Sequence, residues 1–270
     1  METLLGMTTA AGTTFTTVTI GTNQSLTIRD SGRDMPKPLI VDMWGSFQGG
    51  TPIVRVRAAS FPENQIGLYT RATTNVERPI IPFLPRQISP QDTLDWQQQG
   101  SATAGDIDYS FLQIYYRSSP TIPAIALTYQ ELLRYQVGIV NAENTLTTGT
   151  AGNWGAGETF HAEQNPFHPD TYYALIGCVQ QAAEPIGAIG YQAAGFGNVR
   201  IAVPGTNDPR VTANYFVELA LRTGLPTIFV FKSSSLGTTV IDCAVNENGA
   251  DPIVNTFYAE LSKEFNPDLL

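Results

Sequence analysis

The chain is short of charge, of lysine, of histidine and of cysteine, and it has no long apolar run. Only 14% of its 270 residues are charged, against about a quarter in ordinary globular proteins. Of its 15 basic residues just three are lysines, Lys37, Lys232 and Lys263, and 24 acidic residues set the formal net charge at −9. A surface of that sign repels phosphate backbones. The opening "METLLGMTTAAGTTFTTVTIGTNQSLTI" has no basic residue before Arg29, so no direct contact with nucleic acid is expected. Nor does that opening combine a charged start with a long apolar stretch. Elsewhere the apolar runs are strand-sized, and the sequence reads as a soluble protein without signal peptide or membrane span. The two cysteines, Cys178 in "YYALIGCV" and Cys243 in "TTVIDCAV", sit in apolar segments where a buried free thiol is expected rather than a disulfide.

What the sequence does have is turn chemistry and short strands. Gly, Pro, Asn and Asp bound the segments "PLIVDMWGSF", "TPIVRVRAASF", "QIGLYTRA", "YSFLQIYYR", "TYYALIGCVQ", "IGAIGYQAA", "NVRIAVPG", "PTIFVFKS" and "TTVIDCAV". In several of them β-branched or aromatic residues alternate with polar ones, the pattern of half-buried strands. Helical spacing is confined to "LTYQELLRYQ", "DPRVTANYFVELALRTG" and the tail "NTFYAELSKEF", with a short turn at "SPQDTLDW". The second of these opens on Asp208 as N-cap with Pro209 behind it and closes at Gly224, which predicts a helix with Val211, Tyr215 and Leu219 on one face. Many short strands between turns predict an all-β protein of the sandwich or barrel class.

Two stretches echo each other. Gly45, Gln48, Pro52, Phe61 and Asn64 match Gly177, Gln180, Pro185, Phe196 and Asn198 at offsets of 132 to 135, and "SPQDTLDW" lies over "DPRVTANY" at 119. In the second register Trp96 meets Tyr215 and Gly105 meets Gly224, each glycine followed by a hydrophobic strand. The drop in offset predicts an insertion in the first half near the Pro-rich "NVERPIIPFLPRQ". The domains expected are an N-terminal arm over 1–34, a first unit over 35–145, a Gly/Thr-rich linker over 146–168 and a second unit with its tail over 169–270.

Catalytic chemistry is hard to find. Both histidines fall in "HAEQNPFHPD" with Glu163 and Asp170, but His161 and His168 are seven residues apart in a Pro-broken loop, a spacing that fits no standard zinc site. The Gly-rich "GTAGNWGAGE" (Gly149, Gly152, Gly155, Gly157) lacks the Gly-Lys-Ser/Thr ending of a phosphate loop. Asp106 and Asp108 in "DIDY" read as a solvated strand edge, and no Gly-x-Ser-x-Gly elbow is present. The expectation is therefore no enzyme, no catalytic, cofactor-binding or metal-ligating residue, and no cofactor.

An acidic all-β chain of two similar halves, carrying the anchors above and short helices, resembles the double jelly-roll major capsid proteins of icosahedral viruses, including phages with an internal membrane. The likeness covers roughly residues 36–245. It implies two jelly-roll-like barrels or sandwiches in one chain with a few short helices, and a place in the virion. It also implies trimers that tile a shell, with neighbouring capsid, minor capsid or vertex proteins and an internal membrane as partners. Twelve arginines against three lysines, with abundant aromatics, suit extensive subunit contacts. A carbohydrate- or receptor-binding sandwich is the alternative, with Trp44, Trp96 and Trp154 lining a sugar site.

Overall fold

The computed structural model describes residues 1–21, 24–29, 37–50, 52–61, 67–71, 85–116, 124–147, 149–182, 186–197, 199–245 and 251–270. Asn64, Pro185 and Asn198, and most of the expected insertion, lie outside the described residues.

The first half contributes β1 (Glu2–Thr9), β2 (Thr16–Thr17), β3 (Thr19–Ile20), β4 (Leu39–Ser46), β5 (Ile53–Arg57), β6 (Leu68–Arg71), β7 (Arg86–Gln87), β8 (Asp95–Gln99) and β9 (Ile107–Tyr115). They form sheet I, in the order β3-β1-β9-β4-β7, and sheet II, β2-β8-β5-β6. The second half begins with β10 (Ala126–Leu127), α1 (Tyr129–Tyr135), β11 (Gln136–Thr145), β12 (Tyr172–Gln181), β13 (Ile186–Gln192) and β14 (Ile201–Pro204). It continues with α2 (Pro209–Thr212), α3 (Tyr215–Thr223), β15 (Ile228–Lys232), β16 (Val240–Val245) and β17 (Ile253–Leu261). Their sheets are III, β10-β15-β12-β17-β11, and IV, β14-β13-β16. The protein is all-β with a few short helices, and among the described residues no sheet mixes strands from the two halves.

Period-two patterning explains the stacking. On β9, Leu112 and Ile114 turn to sheet II, where they meet Val54, Val56 and Trp96; Tyr109, Phe111 and Tyr115 turn the other way, toward the second half. Sheet I is thus buried on both faces, which is why β9 reads as a nearly continuous apolar run. Sheet IV lies between sheets I and III: Gly187 faces Phe111 of sheet I, while the Tyr191 hydroxyl meets Thr256 of β17 at 3.0 Å. An aromatic cluster of Phe160, Tyr173, Phe231 and Tyr258, with ring centroids 5.3 to 6.0 Å apart in the contacting pairs, fills the space between IV and III. The outer face of sheet III carries Ala174, Ile176 and Val230 under Leu132 of α1 and Ala220 of α3.

Of the first set of repeat anchors, Gly45 and Gly177 fall on like strands, whereas Gln48 follows β4 and Gln180 lies within β12. Gly45 lies in β4 and Gly177 in β12, and each is needed by a close approach, since a Cβ would strike the Phe47 ring in one case and the Thr212 carbonyl in the other. β5 pairs antiparallel with β6 as β13 does with β14, and β4 with β9 as β12 with β15. The second register breaks. Trp96 is in strand β8, whereas Tyr215 starts helix α3. Gly105 and Gly224 nevertheless both take positive φ, 96° and 69°.

Four expectations need correction. Residues 1–9 are no arm: β1 pairs with β9 along its whole length, from Glu2 opposite Ile114 to Thr9 opposite Ile107, and Leu4 and Leu5 are buried. The boundary at 145 is misplaced, because β10 and β11 pair with β15 and β17 of the second half. The Gly/Thr stretch is not a free linker either, since Trp154 and Glu158 bridge to Ala244 and Ile241 of β16 and Phe160 is fully buried. Finally, "NTFYAELSKEF" is mostly strand β17, with Val254, Thr256 and Tyr258 buried at every second position.

Candidate functional site at the junction of the halves

A register shift in β4 between Ile40 and Asp42 turns Asp42 and Trp44 onto the face of sheet I that meets the second half. An acid there, fully buried, must find partners or be expelled. Helix α3 supplies them. The Tyr215 hydroxyl donates to Asp42 Oδ2 at 2.6 Å, and Arg222 stands 3.5 Å from Asp42 Oδ1 while donating to the Val41 carbonyl at 3.0 Å. Gln113 of β9 donates to the Tyr215 hydroxyl at 3.2 Å and to the Ala202 carbonyl at 2.6 Å, and accepts from Thr3 Oγ1 at 2.9 Å. Trp44 Nε1 donates to the Gly187 carbonyl at 3.2 Å. One polar network therefore ties β1, β4 and β9 to β13, β14 and α3.

A second ion pair lies nearby. Arg200 Nη2 is 2.7 Å from Asp242 Oδ2, with the guanidinium 4.7 Å from the Trp154 ring centroid. The Thr3 N–H donates to the Arg200 carbonyl at 3.0 Å. Burial pushes the Asp242 carboxyl up to about 6, a lift that Arg200 only partly opposes. Gly190 of β13 leaves the room for this arrangement, because a Cβ there would lie 2.5 Å from Asp242 Oδ1.

Beside this pair a cleft of about 490 Å³ opens between the halves, lined among others by Glu2, Gln24, Arg29, Tyr116, Gln192 and Arg200. Arg29 bonds Glu2 at 2.8 Å and lies 4.1 Å from the Tyr116 centroid. The lining is mostly polar, with Arg29 paired to Glu2, Arg200 to Asp242 and Gln24 to backbone groups of β1. What such a junction does is mechanical: it fixes one half against the other.

The residues singled out in the sequence disperse. Glu163 accepts from the Thr145 N–H at 2.6 Å, His168 Nδ1 lies 3.2 Å from Glu260, and Asp170 pairs with Lys232 at 2.5 Å. The structure gives His161 no part in these pairs. Among the described residues no group of three or more His, Cys, Asp or Glu is placed to hold a metal ion. Both cysteines are free and buried, their thiols pushed up to about 12 by lost solvation. Asp108 is not on a solvated edge. It is fully buried at the start of β9, accepting from the backbone N–H groups of Gln48 at 2.8 Å and Ser101 at 2.7 Å, and desolvation raises its pKa against those bonds. Trp44 and Trp96 are in the core, fully buried, so the three tryptophans form no sugar platform.

Sequence reasoning missed Asp42, Gln113, Arg200 and Asp242. The signal for the two acids was available: each is a lone charge inside an apolar strand run, "LIVDMW" and "TVIDCAV".

No family model and no curated protein matches the sequence. Among solved structures the chain is similar to the PBSX exported protein XepA, at 9% identity and a TM-score of 0.22, over 94% of this chain and 85% of that one. A likeness at that level carries no functional argument.

Proposed function

We propose that the protein is a structural shell subunit, a major capsid protein of a virus or phage that assembles as pseudo-hexameric trimers and resides in the virion. The observation that carries the reading is the construction of the molecule: two pairs of sheets, one pair from each half, joined through a continuous apolar core and a buried hydrogen-bond network. A tile in a closed shell bears load across its middle, and a junction with Asp42 and Gln113 fully buried resists shear because any slip strands charged and polar groups without partners. The like order of β4, β5 and β6 and of β12, β13 and β14 supports descent of the halves from one duplicated unit. Neighbouring capsid, minor capsid or vertex proteins, and an internal membrane, are the partners this role implies, with no direct contact to the genome. The net charge of −9 accords with that last point. Expression of the full chain followed by size measurement and negative-stain microscopy tests the proposal: ordered tiles or shells support it, and a monomer at every concentration removes it.

A further inference from the structure

The four sheets have eight edges among the described residues. Seven are formed by strands of two to six residues: β2, β3, β6, β7, β10, β14 and β16. The eighth is β11, ten residues long, at the end of sheet III. Native proteins blunt their open edges with short strands, proline or lysine. β11, "QVGIVNAENT", has no proline and no lysine, and it holds Val137 and Ile139 out to solvent at 63% and 59% exposure. Just before it, Leu133 of α1 is 54% exposed. A bulge between Gln136 and Gly138 interrupts the ladder at its near end, and at its far end Glu163 takes the Thr145 N–H; between them the edge runs open from Gly138 to Asn144.

We infer that β11 is a self-association edge, pairing antiparallel with β11 of a second copy of this chain about a two-fold axis. Two features select that occupant. The first is length: the other edges are too short to match a ten-residue strand, whereas a second β11 matches it residue for residue, and a two-fold axis makes the contact self-complementary. The second is charge. Arg134, exposed in the last turn of α1, precedes the strand, and Glu143 lies near its end. Antiparallel pairing sets Arg134 of each copy near Glu143 of the other, while parallel pairing sets like charges together. With the axis at Ile139, the exposed Ile139 side chains of the two copies face each other on one side of the sheet, and Val137 of each lies opposite Asn141 of the other. A strand-edge contact alone is small, so it forms reversibly and gains strength by repetition. The inference rests on the shell-subunit reading, in which this contact joins one tile to the next.

Because Cys178 and Cys243 are buried, Ile139→Cys introduces the one accessible thiol, and mild copper-phenanthroline oxidation of the full chain reads the axis directly. The expected result is rapid formation of a covalent homodimer, with Ile253→Cys, on the neighbouring β17 and 44% exposed, crosslinking far more slowly. Ile139→Lys should weaken self-association by about tenfold or more in sedimentation. Arg134→Glu and Glu143→Arg should each weaken it, with the double exchange restoring it. If Ile139→Cys crosslinks no faster than Ile253→Cys, and Ile139→Lys assembles like the wild type, the edge assignment is wrong while the shell reading stands. A chain that never self-associates removes both.

Discussion

Asp42 concentrates the physical argument at the scale of single residues. Its carboxylate is fully buried, with Tyr215 and Arg222 as its partners from the other half. Removing it leaves a hydroxyl and a guanidinium short of an acceptor. Asp42→Ala is expected to destabilise the fold by about 3 kcal/mol or more in urea unfolding, and Tyr215→Phe by about 1 to 2 kcal/mol. The two losses should be strongly non-additive in a double-mutant cycle; simple additivity would mean that the network does not act as a unit. Asp242 gives a pH signature. Burial raises its carboxyl in the folded chain from 3.8 to about 6, so between those values the folded chain holds a proton that the unfolded chain has released. Stability therefore falls as pH rises from about 4 to about 6 and is level above, an effect of roughly 3 kcal/mol at most. Asp242→Asn should flatten that slope; an unchanged slope would place the titration elsewhere, with Asp108 the next group to examine. That these acids are buried could be read from their apolar neighbours in the sequence. Their partners could not, because Tyr215 is 173 residues from Asp42 and Arg200 is 42 from Asp242, and no local pattern encodes such distances.

Among the elements, the nine named strand segments and both internal helical stretches were legible because their signals are local. The Thr128–Glu131 capping box opens α1, and Asp208, Pro209 and Gly224 bound α2 and α3 as read, although a break at Ala213 and Asn214 leaves Tyr215, Phe216, Leu219 and Ala220 as the buried face. β17 was misread because "NTFYAELSKEF" offers both periods, and cross-strand pairing with β11 and β12 decided between them. β1 was misread for a different reason: Thr-rich strands look like flexible arms until a neighbour completes their ladder. Since β1 makes a full ladder with β9 and packs Leu4 and Leu5 on opposite faces of sheet I, deleting Met1–Thr9 is expected to abolish cooperative folding by circular dichroism. A truncated chain that folds normally yet fails to assemble would restore the arm.

At the scale of the whole molecule, the all-β class was accessible from turn spacing. The boundary between the parts was not, because residues 126–145 follow the first half in sequence and join the second in space. The two halves share one core, in which Trp44 stacks on Phe111 at 5.1 Å and meets Tyr215 edge-on at 6.1 Å, so the chain should behave as one rigid block. Under the proposed shell role, this acidic block repeats as a tile. Negative-stain electron microscopy of the purified full-length protein over a range of concentrations tests that most directly. Tiles with pseudo-six-fold outline, or closed shells assembled from them, are the expected result; a field of dispersed single particles at every concentration would contradict the shell role.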